Sequence, residues 1–236
     1  MKEMKELSAG EVNFASLRDQ AVRLIKNAIL KGELQPGEVV SNEQLSSWLG
    51  ISRTPIREAL LELQKGGVVI IHRGKGTEVA RLSRKDVSEI FETREALEVK
   101  SCELMIERME EDSLDTLEAI LERQIADASE GNQLRFLDGD HDFHLHMARC
   151  ADNKRLYDAI EYLRDQTMLL GAYALRKENR MAEVIGEHRA IVDALKQRDT
   201  QSARAAVVVH LQRTCEDALL RVPGATGAVN AIVRSS

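Results

Sequence analysis

The feature that most constrains the fold is a long stretch without proline. The chain of 236 residues has only three prolines, Pro36, Pro55 and Pro223, so residues 56–222 contain none. Proline breaks helix interiors, and this stretch is rich in Leu, Ala, Glu and Arg, which are strong helix formers. Aromatic residues make up only 3% of the chain. The sequence therefore predicts a mainly α protein with an aliphatic core.

Composition also excludes several classes of protein. No apolar run approaches the ~18 residues that a membrane span requires, and the charged N-terminus "MKEMKELSAGEV" does not resemble a secretion signal. The three cysteines, Cys102, Cys150 and Cys215, are odd in number and far apart in sequence. We therefore expect a cytoplasmic protein with reduced thiols and no membrane partner.

Charge is divided unevenly along the chain. Residues 1–82 contain 12 basic and 10 acidic residues, whereas the remainder contains 21 basic and 29 acidic residues. This division indicates a small, slightly basic module that precedes a larger acidic one.

The N-terminal module shows the order of elements of a winged helix-turn-helix. Helical patterns cover about 16–31, 42–48 and 52–66, with "LQPGEVV" as a turn and short strand between the first two. Extended runs at 68–71 and 77–80 flank a Gly-Lys-Gly tip, which predicts a β-hairpin wing.

The stretch "GISRTPIREAL" predicts a helix that can read DNA. Ser52 can cap the helix, and Pro55 falls in its first turn, where proline costs no hydrogen bond. Arg53, Thr54 and Arg57 then lie on the leading turn and outer face. Arginine pairs bidentately with guanine in the major groove, and helix N-termini favour phosphate.

Arg53 and Arg57 could also be ordinary solvent-exposed residues of a surface helix that does not bind DNA. The preceding short helix, the turn at Gly50 and the basic wing residues Arg73 and Lys75 favour DNA binding instead.

These motifs resemble the DNA-binding domain of the GntR family of bacterial transcription regulators. The PG turn, "LGISRTPIREAL" and "RGKGTEV" carry the resemblance, and we expect the domain to span residues 12–82. The resemblance implies a double-stranded operator with an inverted repeat. It also implies contacts from the third helix and from the wing: Arg53, Thr54 and Arg57, supported by Ser52 and Glu43, and Arg73, Gly74 and Lys75.

Residues 83–222 predict an all-α antiparallel bundle, followed by a flexible tail at 223–236. Six helical segments are separated by short connections: about 84–110, 113–130, 132–150, 153–178, 181–197 and 200–221.

One of these segments, "FLDGDHDFHLHMARC", is rich in His and Asp. Asp140 and His144 are four residues apart, as are Asp142 and His146, so each pair shares a helical face. The apolar periodicity places Asp140 and His144 inward and Asp142 and His146 outward. His141 flanks the inner face.

Two further histidines lie on apolar stripes of other helices. His188 follows Val184 and Ile185, and His210 follows Ala206 and Val207. A single inward histidine is usually a hydrogen-bonded core residue. Three inward histidines with one inward aspartate favour a divalent-metal site.

The second module resembles the FCD ligand-binding domain of FadR-type GntR regulators, in its shorter six-helix form. The resemblance implies that Asp140, His144, His188 and His210 bind the metal. Zn²⁺ is favoured, with Ni²⁺ and Mn²⁺ as alternatives.

Arg94 places a cation on an apolar helical stripe. It can form a salt bridge with Glu98 or a neighbouring helix. The resemblance instead implies that Arg94 faces an effector pocket, where a small carboxylate would be held by the metal and by arginine. Tyr157, Arg164 and Tyr173 could add contacts.

These observations predict a metabolite-responsive transcription regulator, and a repressor is favoured over an activator. We expect it to bind DNA as a homodimer and not to be an enzyme. One alternative is a regulator for which the metal ion itself is the signal. Another is a metal-dependent hydrolase fused to a DNA-binding domain, which the lack of an evident general base disfavours.

Overall fold

The computed structural model describes residues 16–174, 179–220 and 222. The predicted tail 223–236 and the last residues of the predicted helix 153–178 lie outside this range, as does the side chain of Tyr173. The N-terminal elements are α1 Leu17–Leu30, β1 Val39–Val40, α2 Asn42–Leu49, α3 Arg53–Lys65, β2 Val69–His72 and β3 Gly76–Val79.

The rest of the described chain is helical. Its helices are α4 Arg84–Arg108, α5 Glu111–Ser129, α6 Gln133–Cys150, α7 Lys154–Ala174, α8 Arg180–Lys196 and α9 Thr200–Leu219. Helix α4 packs against α9, and α5 packs against both α6 and α8. The predicted fold class, a winged helix-turn-helix followed by a helical domain, is confirmed.

Polar side chains fix where several helices begin. Ser16, Ser41 and Ser83 each accept a hydrogen bond from the third residue of the helix that follows, in reciprocal capping boxes. Helix α5 begins earlier than the predicted residue 113. The Ser113 hydroxyl accepts from the Glu110 backbone N–H at 3.1 Å, which makes Glu110 the N-cap.

The wing is part of a three-stranded antiparallel sheet in the order β1-β3-β2. The predicted hairpin pairs Val69 with Val79 and His72 with Gly76. Strand β1 adds to the outer side of β3. Gly76 has φ +106°, and a Cβ there would lie 2.7 Å from the Val40 carbonyl oxygen. This strand pairing therefore requires glycine.

A tight turn sets the angle between α2 and α3. Gly50 ends α2 in the left-handed conformation, with φ 65° and ψ 22°. Leu45 of α2 and Ile56 and Leu60 of α3 are buried in one hydrophobic cluster with α1 and the sheet. Helix α3 is therefore held rigidly, with its polar face outward.

The two parts of the molecule meet at helix α7. Lys26 of α1 lies 2.9 Å from Asp165 Oδ1 in a partly buried ion pair. Gly66 and Gly67, directly after α3, approach Asp165 and Gln166 so closely that a Cβ on either would lie 3.0 Å or less from them. The end of the third helix therefore rests on α7.

Within the described part of the chain, no helix is long and apolar enough to cross a membrane.

Candidate metal centre and nucleic-acid interface

The four residues predicted to bind metal converge inside the helical domain. Asp140 and His144 come from α6, His188 from α8 and His210 from α9. One ligand atom from each lies within 4.8 Å of the others, and the three histidines are buried. The arrangement can hold a metal ion with three imidazoles and one carboxylate, a borderline donor set.

The second Asp–His pair of α6 faces away from this centre. Asp142 Oδ2 lies 2.5 Å from Arg123 Nη2, and both side chains are about half exposed. His146 Nε2 lies 2.8 Å from the Ser113 carbonyl oxygen. The two pairs have the same spacing, and their directions follow the helical periodicity.

His188 is fixed in one tautomer by Gln124 on α5. Gln124 Nε2 donates to the Phe136 carbonyl oxygen at 3.3 Å, so its Oε1 faces His188 Nδ1 at 2.8 Å. An amide oxygen only accepts hydrogen bonds, so Nδ1 carries the proton and Nε2 is bare. Phe143 stacks on the imidazole at 4.0 Å between ring centroids.

The other two histidines are oriented by carboxylates. His144 Nδ1 lies 2.6 Å from Glu98 Oε2, and His210 Nδ1 lies 2.8 Å from Glu187 Oε2. Burial alone would raise the pKa of Glu98, but Arg94 and His144 hold it well below its usual range. Burial likewise opposes ionisation of Glu187, yet hydrogen bonds from His210 and Arg180 lower its pKa to about 2. Glu187 is therefore hydrogen-bonded to His210 Nδ1, and ionised Glu98 faces His144 Nδ1 at ion-pair distance.

Because each Nδ1 faces a partner outside the cluster, the Nε2 atoms of all three histidines point toward one another. His144 Nε2 and His210 Nε2 are only 3.1 Å apart, and His188 Nε2 has no hydrogen-bond partner in the described part of the chain. Burial lowers the pKa of His144 to about 4, so it is neutral at pH 7. Converging lone pairs repel one another unless a cation lies between them. The residues present therefore fit a divalent metal ion.

The carboxylate ligand is held in place by a buried arginine on α7. Arg164 Nη2 donates to Asp140 Oδ2 at 2.5 Å and to the Asp140 carbonyl oxygen at 3.1 Å. Asp140 Oδ1 lies 3.4 Å from His188 Nε2. Burial alone would raise the pKa of Asp140, but Arg164 and the nearby imidazoles keep it well below its usual range. Asp140 is therefore ionised and can serve as a metal ligand.

Arg94 is linked to the candidate metal-binding residues through one intervening side chain, that of Glu98. Its Nε donates to Glu98 Oε1 at 2.7 Å, and its Nη1 donates to Thr167 Oγ1 at 3.2 Å. The predicted alternative, an ion pair with Glu98, is therefore present. Arg94 contacts the centre through Glu98, which in turn orients His144.

A second buried ion-pair network supports His210. Arg180, only 1% exposed, donates from Nη1 and Nη2 to the two carboxylate oxygens of Glu187 at 2.8 and 3.2 Å. Asp217 Oδ2 lies 3.0 Å from Arg180 Nε. Glu187 is thus fixed on both sides.

These outer partners lead to a first prediction. Gln124→Leu removes the acceptor for His188 Nδ1–H, which frees the ring to rotate or change tautomer. Loss of such a partner weakens metal binding by about 10–100-fold. Titration against a chromogenic chelator measures this, with exposed Gln133→Leu as the control. Unchanged affinity in Gln124→Leu would show that the tautomer is not set by this contact.

The leading face of α3 carries the predicted DNA-binding residues. Arg53, Thr54 and Arg57 are all exposed. Arg53 Nη1 lies 3.2 Å from Glu43 Oε1 in an ion pair whose side chains are 71% and 58% exposed. Ser52 is the N-cap residue, but its hydroxyl makes no capping hydrogen bond.

The wing extends this face. A groove of about 600 Å³ runs between the start of α2, helix α3 and the hairpin tip, and Arg57, Arg73, Gly74 and Lys75 line it. Arg73 and Lys75 are exposed. The groove joins cationic residues from the helix and the wing on one surface, as duplex recognition requires.

Sequence reasoning missed most of the residues that orient the metal ligands. Gln124 and Glu187 were not singled out, and Arg164 was named only as an additional contact. Gln124 lies three residues after Leu121 and seven after Leu117, both buried, so a polar residue on an apolar stripe was the available signal. Tyr157 lies elsewhere, since its hydroxyl donates to Glu161 at 3.1 Å.

Comparison with known proteins agrees with these features. A model of "Bacterial regulatory proteins, gntR family" matches residues 17–79, and an "FCD domain" model matches residues 89–213. The chain is 30% identical to the HTH-type transcriptional regulator YdhC of Bacillus subtilis, covering 81% of this chain and 86% of that protein. It is 26% identical to the HTH-type transcriptional repressor RspR of Escherichia coli, covering 85% and 88%.

A solved structure, E. coli McbR/YncC, has the same fold. Its TM-score is 0.75 at 23% identity, over 88% of this chain and 99% of that one.

A winged helix-turn-helix joined to a helical domain with a buried His/Asp cluster defines a class of DNA-binding transcription regulators. The chain belongs to the GntR family of bacterial transcription regulators, in the FadR-type branch with an FCD domain. The prediction that it is not an enzyme is confirmed by this membership, which sets aside the hydrolase alternative.

Proposed function

We propose that this regulator is a cytoplasmic repressor that binds an inverted-repeat operator as a homodimer and responds to a small carboxylate. Residues 12–82 bind DNA, and residues 83–222 bind the metal and the effector. One similar protein, the transcriptional repressor RspR of Escherichia coli, supports the direction of regulation.

In this proposal α3 enters the major groove. Arg53, Thr54 and Arg57 contact base edges and phosphates, while Glu43 orients Arg53 through their ion pair. The Ser52 hydroxyl makes no capping hydrogen bond and can therefore donate to a phosphate oxygen. From the wing, Arg73, Gly74 and Lys75 contact the minor groove or backbone.

The metal centre takes Zn²⁺ in preference to Ni²⁺ or Mn²⁺. Three imidazoles and one carboxylate suit zinc, whereas manganese prefers oxygen donors. A bound divalent ion supplies a Lewis-acidic centre that attracts a carboxylate oxygen. We place the effector beside it, near the buried arginines Arg94 and Arg164.

The observation that carries the regulatory proposal is the position of three consecutive residues of α7. Arg164 binds the metal ligand Asp140. Asp165 forms the ion pair with Lys26 of α1, and Asp165 and Gln166 pack against the glycines that follow α3. A shift of this turn therefore changes both the metal centre and the support of the DNA-reading helix.

His141 lies at the same junction. Burial, together with the nearby charges of Arg164 and Lys26, lowers its pKa to about 4. The junction is thus a partly buried charged surface with several partners. An effector acts across it only by favouring one arrangement of the two parts over the other, typically with ~1–3 kcal/mol of coupling.

A charge-neutral substitution at the junction tests this coupling. Asp165→Asn removes the partner of Lys26, and we expect it to reduce the effect of the carboxylate on operator affinity by at least about 5-fold, the lower end of typical coupling. The operator is obtained by selection from random duplex DNA, and affinity is followed by fluorescence anisotropy in the zinc-loaded protein.

The matched control is Asp158→Asn on the same helix. Asp158 pairs with Lys154 at 2.7 Å on the surface, so its loss removes an ion pair without touching the junction. If Asp165→Asn and Asp158→Asn respond to the acid equally, α7 does not connect the two parts.

The alternative function, direct metal sensing, predicts a different result in the same assay. Operator affinity would then change when zinc is added or removed, at free-ion concentrations near the dissociation constant, and no acid would alter it further.

A further inference from the structure

Two buried arginines lie beside the metal centre, and their donors are used differently. Arg94 donates from Nε to Glu98 Oε1 and from Nη1 to Thr167 Oγ1, at 2.7 and 3.2 Å. The guanidinium carbon of Arg94 also lies 4.8 Å from the centre of the Phe91 ring. The Arg94 guanidinium is therefore held on several sides by the protein itself.

Arg164 is only 5% exposed, yet most of its donors lack an acceptor. Its Nη2 donates to the side-chain and main-chain oxygens of Asp140. Among the residues that the structure describes, its Nε and Nη1 have no hydrogen-bond partner. Nη1 lies 3.7 Å from Glu98 Oε1, which is an ion pair but too long for a hydrogen bond. Buried N–H groups without an acceptor are costly, and more so on a charged group.

The two acidic side chains near Arg164, those of Glu98 and Asp140, also interact with other groups. Glu98 lies between both arginines and is close to His144. Asp140 is a candidate metal ligand, and a bound divalent ion withdraws its negative charge from Arg164. A buried guanidinium in this position favours an additional anionic acceptor with planar geometry.

We propose that Arg164, rather than Arg94, binds the carboxylate of the effector directly. The inference rests on the proposed function and refines it. The ligand class is a small carboxylic acid in its ionised form, which accepts a hydrogen bond from one of the two Arg164 nitrogens without an acceptor, Nε or Nη1. Arg94 acts indirectly, because it fixes Glu98 and through it His144. Since Asp165 follows Arg164 directly, binding at Arg164 acts on the turn of α7 that contacts α1.

Acetate binding to the full-length, zinc-loaded protein tests this assignment by calorimetry. Arg164→Lys keeps a positive charge beside Asp140 but removes the fork of donors. We expect it to weaken acetate binding at saturating zinc by at least about 10-fold, as loss of a charged hydrogen bond implies. Arg155→Lys, the matched variant at an exposed position of the same helix, is expected to retain acetate binding within about 3-fold, because it lies outside the buried network.

A second measurement on the unaltered chain covers the case in which Arg164→Lys no longer binds zinc. In ¹⁵N-labelled protein, the Arg164 Nε–H resonance, assigned by its loss in Arg164→Lys, should shift when acetate is added, and that of Arg94 should shift less. An unshifted Arg164 signal, or equal acetate binding by Arg164→Lys and the wild type, overturns the inference while leaving a carboxylate effector in place. If the zinc-loaded wild type binds neither acetate nor any larger acid, the proposed effector is wrong and the inference falls with it.

Discussion

His144→Asn is expected to reduce zinc affinity by more than about 100-fold, because losing a direct ligand should exceed the 10–100-fold loss typical of outer partners. His146→Asn, two residues along the same helix, is expected to leave zinc affinity unchanged. The two substitutions are chemically identical, and both sites pair at i,i+4 spacing with an aspartate. They differ in direction, since His144 faces the other histidines and His146 faces Ser113.

The same pair of variants gives a stability readout. A ligand present at about 1,000 times its dissociation constant stabilises the folded state by ~4.1 kcal/mol. Thermal melting with and without zinc should therefore show a large shift for the wild type and for His146→Asn, and little or none for His144→Asn. Circular dichroism of the metal-free proteins checks that each variant is folded. Equal zinc shifts for both variants would contradict the four-residue centre.

Arg57→Ala is expected to weaken operator binding by about 5–150-fold, which corresponds to the ~1–3 kcal/mol of a bidentate base contact. Three surface grooves border α3: one lies between α2 and α3, and two lie between α3 and the wing. Among the proposed DNA contacts, only Arg57 lines all three. The loss should depend on sequence, with reduced discrimination at one base-pair position. Arg189→Ala removes the same charge from an exposed site on α8 and is the control.

Lys75→Ala in the wing should behave differently in the same assay. A phosphate contact contributes equally on every sequence, so binding should weaken uniformly and the slope of log affinity against log salt should fall by about 1.

A loss of affinity in Arg57→Ala no larger than in Arg189→Ala would show that α3 is not the reading helix.

Local signals made most of the fold predictable. Ser41 and Gly50 mark the ends of the short helix α2, and glycines mark the hairpin tip, so these elements follow from turn and capping chemistry. The pairing of β1 with β3 could not be predicted, because it depends on a contact between Val39 and Glu78 that are far apart in sequence. The junction between Lys26 and Asp165 was hidden for the same reason.

The candidate metal centre was predictable because each of its four residues stands out against an apolar helical stripe. Asp140 and His144 share a face, and His188 and His210 lie among Val, Ile and Ala. Their orienting partners were harder to find. Glu187 precedes His188 in the sequence, but it is hydrogen-bonded to His210 on another helix. This contact depends on the packing of α8 against α9, which the sequence does not show. Arg164 gave no local signal that separated it from a surface arginine.

The most direct test of the central claim measures operator binding by the zinc-loaded protein while small carboxylates are added, and repeats it after chelation. The account predicts that at least one acid changes operator affinity 5-fold or more, as a coupling of about 1 kcal/mol or more requires, and that this response disappears when zinc is removed. An acid response that persists in the metal-free protein, or in His188→Ala, would contradict the proposed link between metal centre, effector and DNA.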